Sequence, residues 1–196
     1  MKKFGKFRPK GHILSEALQR RLNVYALTAG AAGVSLLAMA QPSSAEIIYT
    51  ATNRTLTKDA TLYLDLNHDK TIDLVIENRF QEFCNIFGSC RTYASLVALP
   101  QGTNELVYNV FGAVAMKSGM GIGPRDAFKG GNGLMAEGIN SGTHVSGTWV
   151  NVANRYLGLK FTINGQTHYG WVRMTVQTQG GDTITATVTG LSLIHI

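Results

Sequence analysis

The dipeptide Asn164-Gly165 divides the segment "YLGLKFTINGQTHYGWVRMTV" into two strand-like halves. Both central residues of a type I′ turn need positive φ, which asparagine and glycine adopt most readily, so the pair predicts a two-residue β-hairpin. Such a short turn fixes the register of its strands, because side chains alternate between the two faces. The predicted cross-strand pairs are Ile163 with Gln166, Phe161 with His168, Leu159 with Gly170 and Leu157 with Val172. The predicted core face consists of Leu157, Leu159, Phe161, Ile163 and Val172.

Short runs rich in Val, Ile, Thr and Tyr recur along the rest of the chain, separated by Gly, Asn and Asp. No long helical periodicity follows residue 45. Many short strands joined by turns predict an all-β fold, either an antiparallel sandwich or a jelly-roll-like barrel, in a single domain over residues 46–190. The predicted strands are Ile47–Thr50, Thr61–Leu66, Ile72–Glu77, Tyr93–Leu99, Leu106–Val110, Val145–Val152, Tyr156–Ile163, Gln166–Val176 and Thr183–Thr189.

The net positive charge of the chain is confined to its first 45 residues. That segment contains seven Lys or Arg and one Glu, a net charge of +6, which equals the net charge of the whole chain. Residues 46–196 therefore carry no net charge, and counterion release cannot drive them onto a phosphate backbone. We expect no nucleic-acid partner.

The same N-terminal segment has the organisation of an export signal. A basic region precedes the apolar run Tyr25–Ala40, and small residues at Ser43 and Ala45 suit cleavage after Ala45, with Ala40 as the alternative site. The apolar run is shorter than the roughly 20 residues that a spanning helix needs, which favours cleavage over a permanent anchor. We predict that residues 1–45 are a signal peptide with a helical apolar region, and that the remaining chain is exported without a membrane span.

The last six residues, "LSLIHI" (Leu191–Ile196), differ from the threonine-rich alternation before them. They match an in-frame translation of the end sequence of a common transposase-based sequencing adapter. We therefore interpret residues 191–196 as adapter-derived, end the domain at residue 190 and expect the natural C-terminus to be missing. The alternative is a natural apolar C-terminal strand.

Oxygen-bearing side chains occupy every second position of "DLNHDKTID", between two apolar runs. The flanking apolar residues that we predict to face the core are Leu62, Leu64, Leu66, Ile72, Leu74 and Ile76. Because side chains alternate along a strand, the oxygen groups then point the other way. Calcium prefers six to eight oxygen ligands, so the pattern predicts a calcium loop, with a turn capped by Asn and Asp as the alternative. The candidate ligands are Asp65, Asn67, Asp69, Thr71 and Asp73.

This stretch resembles the D-x-N-x-D-G-x-x-D calcium loop of integrin-type repeats and dockerins. The resemblance implies a structural calcium ion, with Thr71 contributing its carbonyl oxygen and the other four residues their side chains. An affinity of about 10⁻⁴–10⁻³ M is typical of such extracellular sites. Two positions depart from known calcium loops. Lys70 stands where the pattern has glycine, and Ile76 stands where an EF-hand has its bidentate Glu.

Cys84 and Cys90 are the two cysteines of the chain and flank "NIFGS". In an oxidising compartment, two cysteines this close in sequence are expected to form a disulfide. The short ring would stabilise the fold by about 2 kcal/mol on the chain-entropy model. The spacing is not C-x-x-C, so we do not predict a redox role.

The outer face of the predicted hairpin carries aromatic and cationic residues in place of a plain polar set. Its members are Tyr156, Lys160, Tyr169, Trp171 and Arg173, with Gly158 opposite Trp171. Exposed rings on a β-sandwich can stack on sugars, which makes Tyr156, Tyr169 and Trp171 a candidate ligand platform. We favour the alternative that this face is a second packing layer, with the cations lying over the rings.

Signatures of catalysis are sparse in this sequence. It lacks a G-x-S-x-G nucleophile elbow, and its histidines form no metal-ligand pair. The glycine-rich segment 118–147 lacks a phosphate-binding motif and is predicted to be a surface loop with a short helical turn near Asp126–Lys129. The glutamates that could supply the carboxylate pair of a glycoside hydrolase are Glu77, Glu82, Glu105 and Glu137. We predict a protein that is not an enzyme.

The order of a signal peptide, a D-L-N-x-D hairpin and the late segments "HYGWVRMTV" and "ITATVTG" is similar to that of a group of uncharacterised exported bacterial β-sandwich proteins. The resemblance implies no activity. We expect an exported, calcium-stabilised, non-catalytic domain whose partner is a glycan or another cell-surface component. The alternatives are a carbohydrate-binding module and a polysaccharide-active hydrolase.

Overall fold

The regular secondary structure of the described part of the chain consists of strands, as the sequence predicts. A computed structural model describes residues 47–139, 144–180 and 182–194. The predicted signal peptide lies outside these residues, and within them no helix is long and apolar enough to cross a membrane. The strands are β1 (Ile47–Leu56), β2 (Thr61–Leu64), β3 (Leu74–Cys84), β4 (Cys90–Pro100), β5 (Glu105–Asn109), β6 (Gly112–Ala113), β7 (Phe128–Lys129), β8 (Gly133–Ile139), β9 (His144–Ser146), β10 (Val152–Ile163), β11 (Gln166–Gln179) and β12 (Thr183–Ile194).

Two antiparallel sheets enclose the core, which confirms the predicted all-β sandwich. The large sheet has the order β1-β12-β11-β10-β5-β6, with β7 paired to β5. The small sheet has the order β2-β3-β4-β8-β9. Leucine, isoleucine, valine, methionine and alanine side chains from the inner faces of both sheets form one apolar cluster. The two sheets are therefore stabilised mainly by burial of apolar area against each other.

The β10–β11 hairpin has the register that its turn predicts. Ile163 pairs with Gln166, and Phe161 pairs with His168. Both turn residues have positive φ, 51° at Asn164 and 77° at Gly165. Gly170 is required by packing, because a Cβ there would lie 3.0 Å from the Phe161 ring.

The segment 118–147 is not a continuous loop, and this prediction was wrong. It contains β7, β8 and β9, and β8 lies inside the small sheet, paired with both β4 and β9. A Cβ on Gly133 would lie 2.5 Å from the Leu106 side chain, so this glycine marks close packing between the sheets and not a mobile backbone. The turn predicted near Asp126–Lys129 gives way to the short strand β7 at Phe128.

The prediction of a continuous strand over Val145–Val152 was also wrong. Strand β9 ends at Ser146, and a turn follows. Gly147 begins this turn with a φ of 110°. Trp149 is fully buried within it, and its indole Nε1 donates a hydrogen bond to the carbonyl of Ala113 at 3.1 Å. The Trp149 side chain is therefore part of the core although its backbone lies in a turn and not in a strand.

Strand β12 continues beyond Gly190, the predicted end of the domain. Leu191 and Leu193 are buried, and Ser192 pairs with Tyr49 of β1 and Trp171 of β11. Four of the six residues that match the adapter sequence thus extend the strand. Their origin stays a prediction from the sequence.

Asn78 joins the two sheets by a buried hydrogen bond. Its side-chain Nδ2 in β3 donates to the carbonyl oxygen of Ile184 in β12 at 2.6 Å. The asparagine is 2% exposed, so no solvent replaces this bond if it is lost.

We predict that Asn78→Ala lowers the free energy of unfolding by about 1–3 kcal/mol, because it leaves the Ile184 carbonyl buried without this donor. Urea denaturation measures this change. The matched control is Asn53→Ala on the exposed edge strand, which should change stability by less than about 0.5 kcal/mol. Equal losses in both variants would contradict a special role for Asn78.

Candidate functional site

The loop between β2 and β3 contains all five predicted calcium ligands. Two of its non-glycine residues have positive φ, 60° at His68 and 73° at Lys70. Lys70 therefore adopts the left-handed conformation that the resembled pattern assigns to glycine. A residue with a Cβ is strained there by about 1 kcal/mol.

Asp65 divides its two carboxylate oxygens between different environments. Its Oδ2 accepts the backbone N–H of Lys70 at 2.8 Å. Its Oδ1 is buried and has no hydrogen-bond partner. A buried carboxylate oxygen without a donor is costly, and a bound cation would satisfy it.

Asn67 and Asp69 lie beside each other at the exposed apex of the loop. The Asn67 amide donates to Asp69 Oδ2 at 2.9 Å, and the Thr71 backbone N–H donates to Asp69 Oδ1 at 2.7 Å. The Thr71 N–H and the Asn67 amide lower the pKa of Asp69. Asp69 is therefore an anion whose oxygens already accept two donors.

Asp73 is buried at the base of the loop and has a structural position. Its Oδ2 accepts the Leu66 backbone N–H at 2.8 Å, and the Asn104 amide lies 3.3 Å from its Oδ1. Burial raises the pKa of Asp73, and the charge of Asp69 adds to that rise. Asp73 thus ties the loop to the β4–β5 turn. Ile72 beside it is exposed and does not face the core, contrary to the prediction.

Cys84 and Cys90 form the predicted disulfide, with an S–S distance of 2.00 Å. They are directly paired in the β3–β4 register and close the hairpin that these strands form. Among the described residues, they and Glu82 are the one group of three Asp, Glu, His or Cys side chains with ligand atoms mutually within 4.8 Å. Because both sulfurs are in the disulfide, this group offers no thiolate.

The three rings of the predicted ligand platform do not form one flat surface. Tyr169 is buried, with its ring centroid 5.7 Å from that of Phe128. Tyr156 and Trp171 are half-buried and meet edge to face, at 5.0 Å and an angle of 83°. The structure therefore separates one packed ring from two rings that remain accessible.

The glycine-rich segment after β6 covers this outer face and forms a cleft with the two accessible rings. Backbone hydrogen bonds of 3.0 Å in both directions join Met116 to Tyr156. A Cβ on Gly158 would lie 2.9 Å from Met116 Sδ, so the segment packs where β10 has no side chain. The cleft has a volume of about 250 Å³ and is lined by residues of segment 116–122 together with Tyr156 and Trp171. The sequence indicated the glycine and the tryptophan but gave no signal for Met116.

A second cleft of about 350 Å³ lies on the same outer face and brings two carboxyl groups together, Glu105 and Asp126. Lys160 forms an ion pair with Glu105. Asp126 Oδ2 accepts the Gly123 backbone N–H at 2.9 Å. Both carboxylates already have partners, and only Glu105 was among the predicted candidates.

The other predicted acids and histidines lie apart from these clefts. Glu77 pairs with Arg79, Glu82 is exposed in the β3–β4 hairpin, and Glu137 accepts hydrogen bonds from Tyr93 and Ser146. His68 lies 3.2 Å from the Thr50 hydroxyl, His144 is exposed in β9, and His168 is buried beside the core.

Comparison with known proteins gave no relative: no family model, no curated protein and no solved structure matches this chain.

Tyr93 on the outer face of the small sheet provides a pH test of the local structure. Burial raises the pKa of Tyr93 above 10.0, and the hydrogen bond that its hydroxyl donates to Glu137 raises it further. The pKa of Tyr93 is higher in the folded state than in the unfolded state. The stabilisation that the protonated Tyr93 hydroxyl contributes is therefore fully present below pH 10.0 and is lost as the pH rises through the folded-state pKa. Glu137→Gln should lower the pKa of Tyr93, because it removes the negative charge beside the hydroxyl. Ultraviolet difference titration, with Tyr93→Phe as the reference, measures the pKa of Tyr93. An unchanged titration midpoint in Glu137→Gln would contradict the assignment of the raised pKa to Glu137.

Proposed function

We propose that this protein is an exported, non-catalytic β-sandwich domain that is stabilised by calcium and acts in contacts at the cell surface. The observation that carries the calcium part is the buried Oδ1 of Asp65, which has no hydrogen-bond partner. It lies in a loop whose Lys70 already has the left-handed backbone that the resembled calcium pattern requires.

The donor set suits a hard cation such as calcium. Asp65, Asn67 and Asp69 offer side-chain oxygens on one loop, which are the ligands that calcium prefers. Asp69 keeps its negative charge, because its hydrogen bonds lower its pKa. Asp73 accepts the Leu66 N–H, so its role is to fix the two ends of the loop and not to coordinate the ion directly. The charged Lys70 side chain in the same loop limits the affinity.

Export is supported by two independent features. The disulfide between Cys84 and Cys90 is typical of oxidising compartments. The N-terminal sequence has the basic and apolar regions of a signal peptide. A domain outside the cell meets calcium at concentrations at which a weak site is occupied.

We predict that millimolar calcium raises the melting temperature of chelator-treated protein by about 3 °C, since a ligand that binds only the folded state stabilises it. Asp65→Asn keeps an acceptor for the Lys70 N–H but removes the charge, and it should abolish the calcium response. Differential scanning calorimetry with calcium and with magnesium measures both effects.

Two further variants sharpen this test. Lys70→Gly removes both the backbone strain and the nearby cation, so it should raise the intrinsic stability by about 1 kcal/mol and strengthen calcium binding. Glu82→Gln removes an exposed carboxylate outside the loop and should leave the calcium response unchanged. A wild-type response that magnesium reproduces, or that persists in Asp65→Asn, would refute the site.

A second candidate function, glycan binding, is favoured by the cleft at Tyr156 and Trp171. Two accessible rings at right angles line its wall, and the glycine-rich segment closes one side. An aromatic face buries a large apolar area of a sugar ring, and the exposed backbone of such a segment offers hydrogen-bonding groups. A cleft of this size would take one or two sugar units at the end or branch of a polysaccharide.

We predict that Trp171→Ala weakens binding to a recognised polysaccharide at least about tenfold, because it removes the larger ring. Affinity electrophoresis in gels that contain soluble polysaccharides provides the measurement. Tyr63→Ala, which truncates an exposed ring on the small sheet, is the control and should bind normally. Release of reducing ends that Glu105→Gln abolishes would instead support the hydrolase alternative.

A further inference from the structure

Two turns of the molecule share the tetrapeptide Asn-(Ile/Val)-Phe-Gly and present its apolar residues to solvent. One is Asn85–Gly88 between β3 and β4, and the other is Asn109–Gly112 between β5 and β6. Ile86 and Phe87 are 95% and 87% exposed, and Val110 and Phe111 are 91% and 71% exposed. Neighbouring apolar side chains with this exposure are unusual on a monomer and indicate a contact surface.

The Asn85 turn satisfies its own backbone. The Asn85 side-chain Oδ1 accepts the N–H groups of Phe87 and Ser89, each at 3.0 Å. The backbone N–H of Asn85 donates to Ser89, and that of Gly88 donates to the Asn85 carbonyl. Four donors are thus paired inside the turn, which lowers the cost of moving the turn from water into an apolar medium.

The β3–β4 hairpin carries this turn away from the sandwich. All residues from 81 to 91 are exposed, although side chains alternate between the two faces along each strand. Neither face of this part of the hairpin therefore packs on the core. The Cys84–Cys90 disulfide joins its two strands immediately below the turn. The apex is a stapled, convex projection.

The apex is uncharged and ends at a charged boundary. The run Phe83–Cys90 contains no ionisable side chain outside the disulfide, and Glu82 and Arg91 flank it with opposite charges. Three residue steps separate Glu82 from Asn85, about 10 Å at the rise of a strand. This length matches the roughly 5–10 Å to which apolar side chains enter the boundary between lipid head groups and acyl chains.

From these features we propose that the β3–β4 apex docks the protein on a lipid bilayer surface, with Ile86 and Phe87 inserted and Phe83 at the boundary. A lipid interior supplies no hydrogen bonds, and four backbone donors of this apex are already paired within the turn. The residues outside the predicted signal peptide carry no net charge, so insertion and not attraction to anionic lipid drives the contact. This activity is independent of calcium binding and of the glycan cleft.

The Asn109 turn is a built-in control, because it has the same apolar pair in a different setting. A Cβ on Gly112 would collide with the Leu134 carbonyl, and Leu134 pairs with Val97 of β4. Val97 is seven positions from Cys90 in β4, about 23 Å along the strand. This second turn follows a five-residue strand and lies against the sandwich, without a projecting stem.

The test uses the chain without residues 1–45, whose apolar run would bind lipid by itself; the compact unit Ser44–Ile196 contains all described strands. Sedimentation with vesicles of phosphatidylcholine, alone and mixed with phosphatidylglycerol, measures partitioning. We expect binding to both vesicle types, with little effect of salt. Ile86→Ser/Phe87→Ser should weaken it at least about tenfold, whereas Val110→Ser/Phe111→Ser should bind as wild type. Both pairs are exposed, so we expect the two variants to have the melting temperature of the wild type. This measurement verifies that the variants fold.

Insertion itself has a direct spectroscopic readout. Phe87→Trp should gain a blue-shifted emission component on addition of vesicles, and Phe111→Trp should not. Absence of wild-type sedimentation would overturn the proposal, as would equal losses in the two serine pairs. Binding that requires phosphatidylglycerol and disappears at high salt would also overturn it, because it would show attraction by charge.

Discussion

The antiparallel register of β10, β11 and β12 is the constraint on which the rest of the structure depends. It places Leu159 and Val172 against the small sheet and, in the same strands, turns Tyr156 and Trp171 outward. Two glycines make both faces possible. Gly170 leaves room for the Phe161 ring in the core, and Gly158 leaves room for Met116 on the outside. A slip of one residue would exchange the two faces and destroy both the core and the cleft.

The small sheet connects the two surface features that we assign to function. Strand β3 begins next to the candidate calcium loop at Leu74 and ends at Cys84 below the apolar apex. Ten residue steps of strand separate these ends, about 33 Å. Asp73 links the loop to the β4–β5 turn, and Asn78 links the middle of the strand to the large sheet. The two proposed sites therefore lie at opposite ends of one strand, whose middle is joined to the large sheet.

Burial by distant segments explains why part of the candidate site was not predictable. Alternation gave the outward direction of Tyr156, Tyr169 and Trp171 correctly. However, Phe128 packs on Tyr169 from a segment about forty residues earlier, and a sequence pattern contains no such contact. In the same way, Gly133 lies in β8 with the Leu106 side chain packed so closely against it that a Cβ would collide. A glycine in a sequence usually indicates a flexible backbone, whereas here it indicates that a neighbouring side chain packs directly against the backbone.

By itself, the sequence determined the features that depend on neighbours along the chain. The Asn164-Gly165 turn set its hairpin register through backbone φ, and the spacing of Cys84 and Cys90 led to their disulfide. Only the tertiary structure decided which faces are covered. It buried Asp73, exposed Ile72 and left Asp65 Oδ1 without a donor. It also left Ile86 and Phe87 exposed to solvent, because the end of the β3–β4 hairpin, residues 81–91, extends beyond the part of the hairpin that packs on the core. Burial is a property of what packs from elsewhere in the chain, and local periodicity cannot specify it.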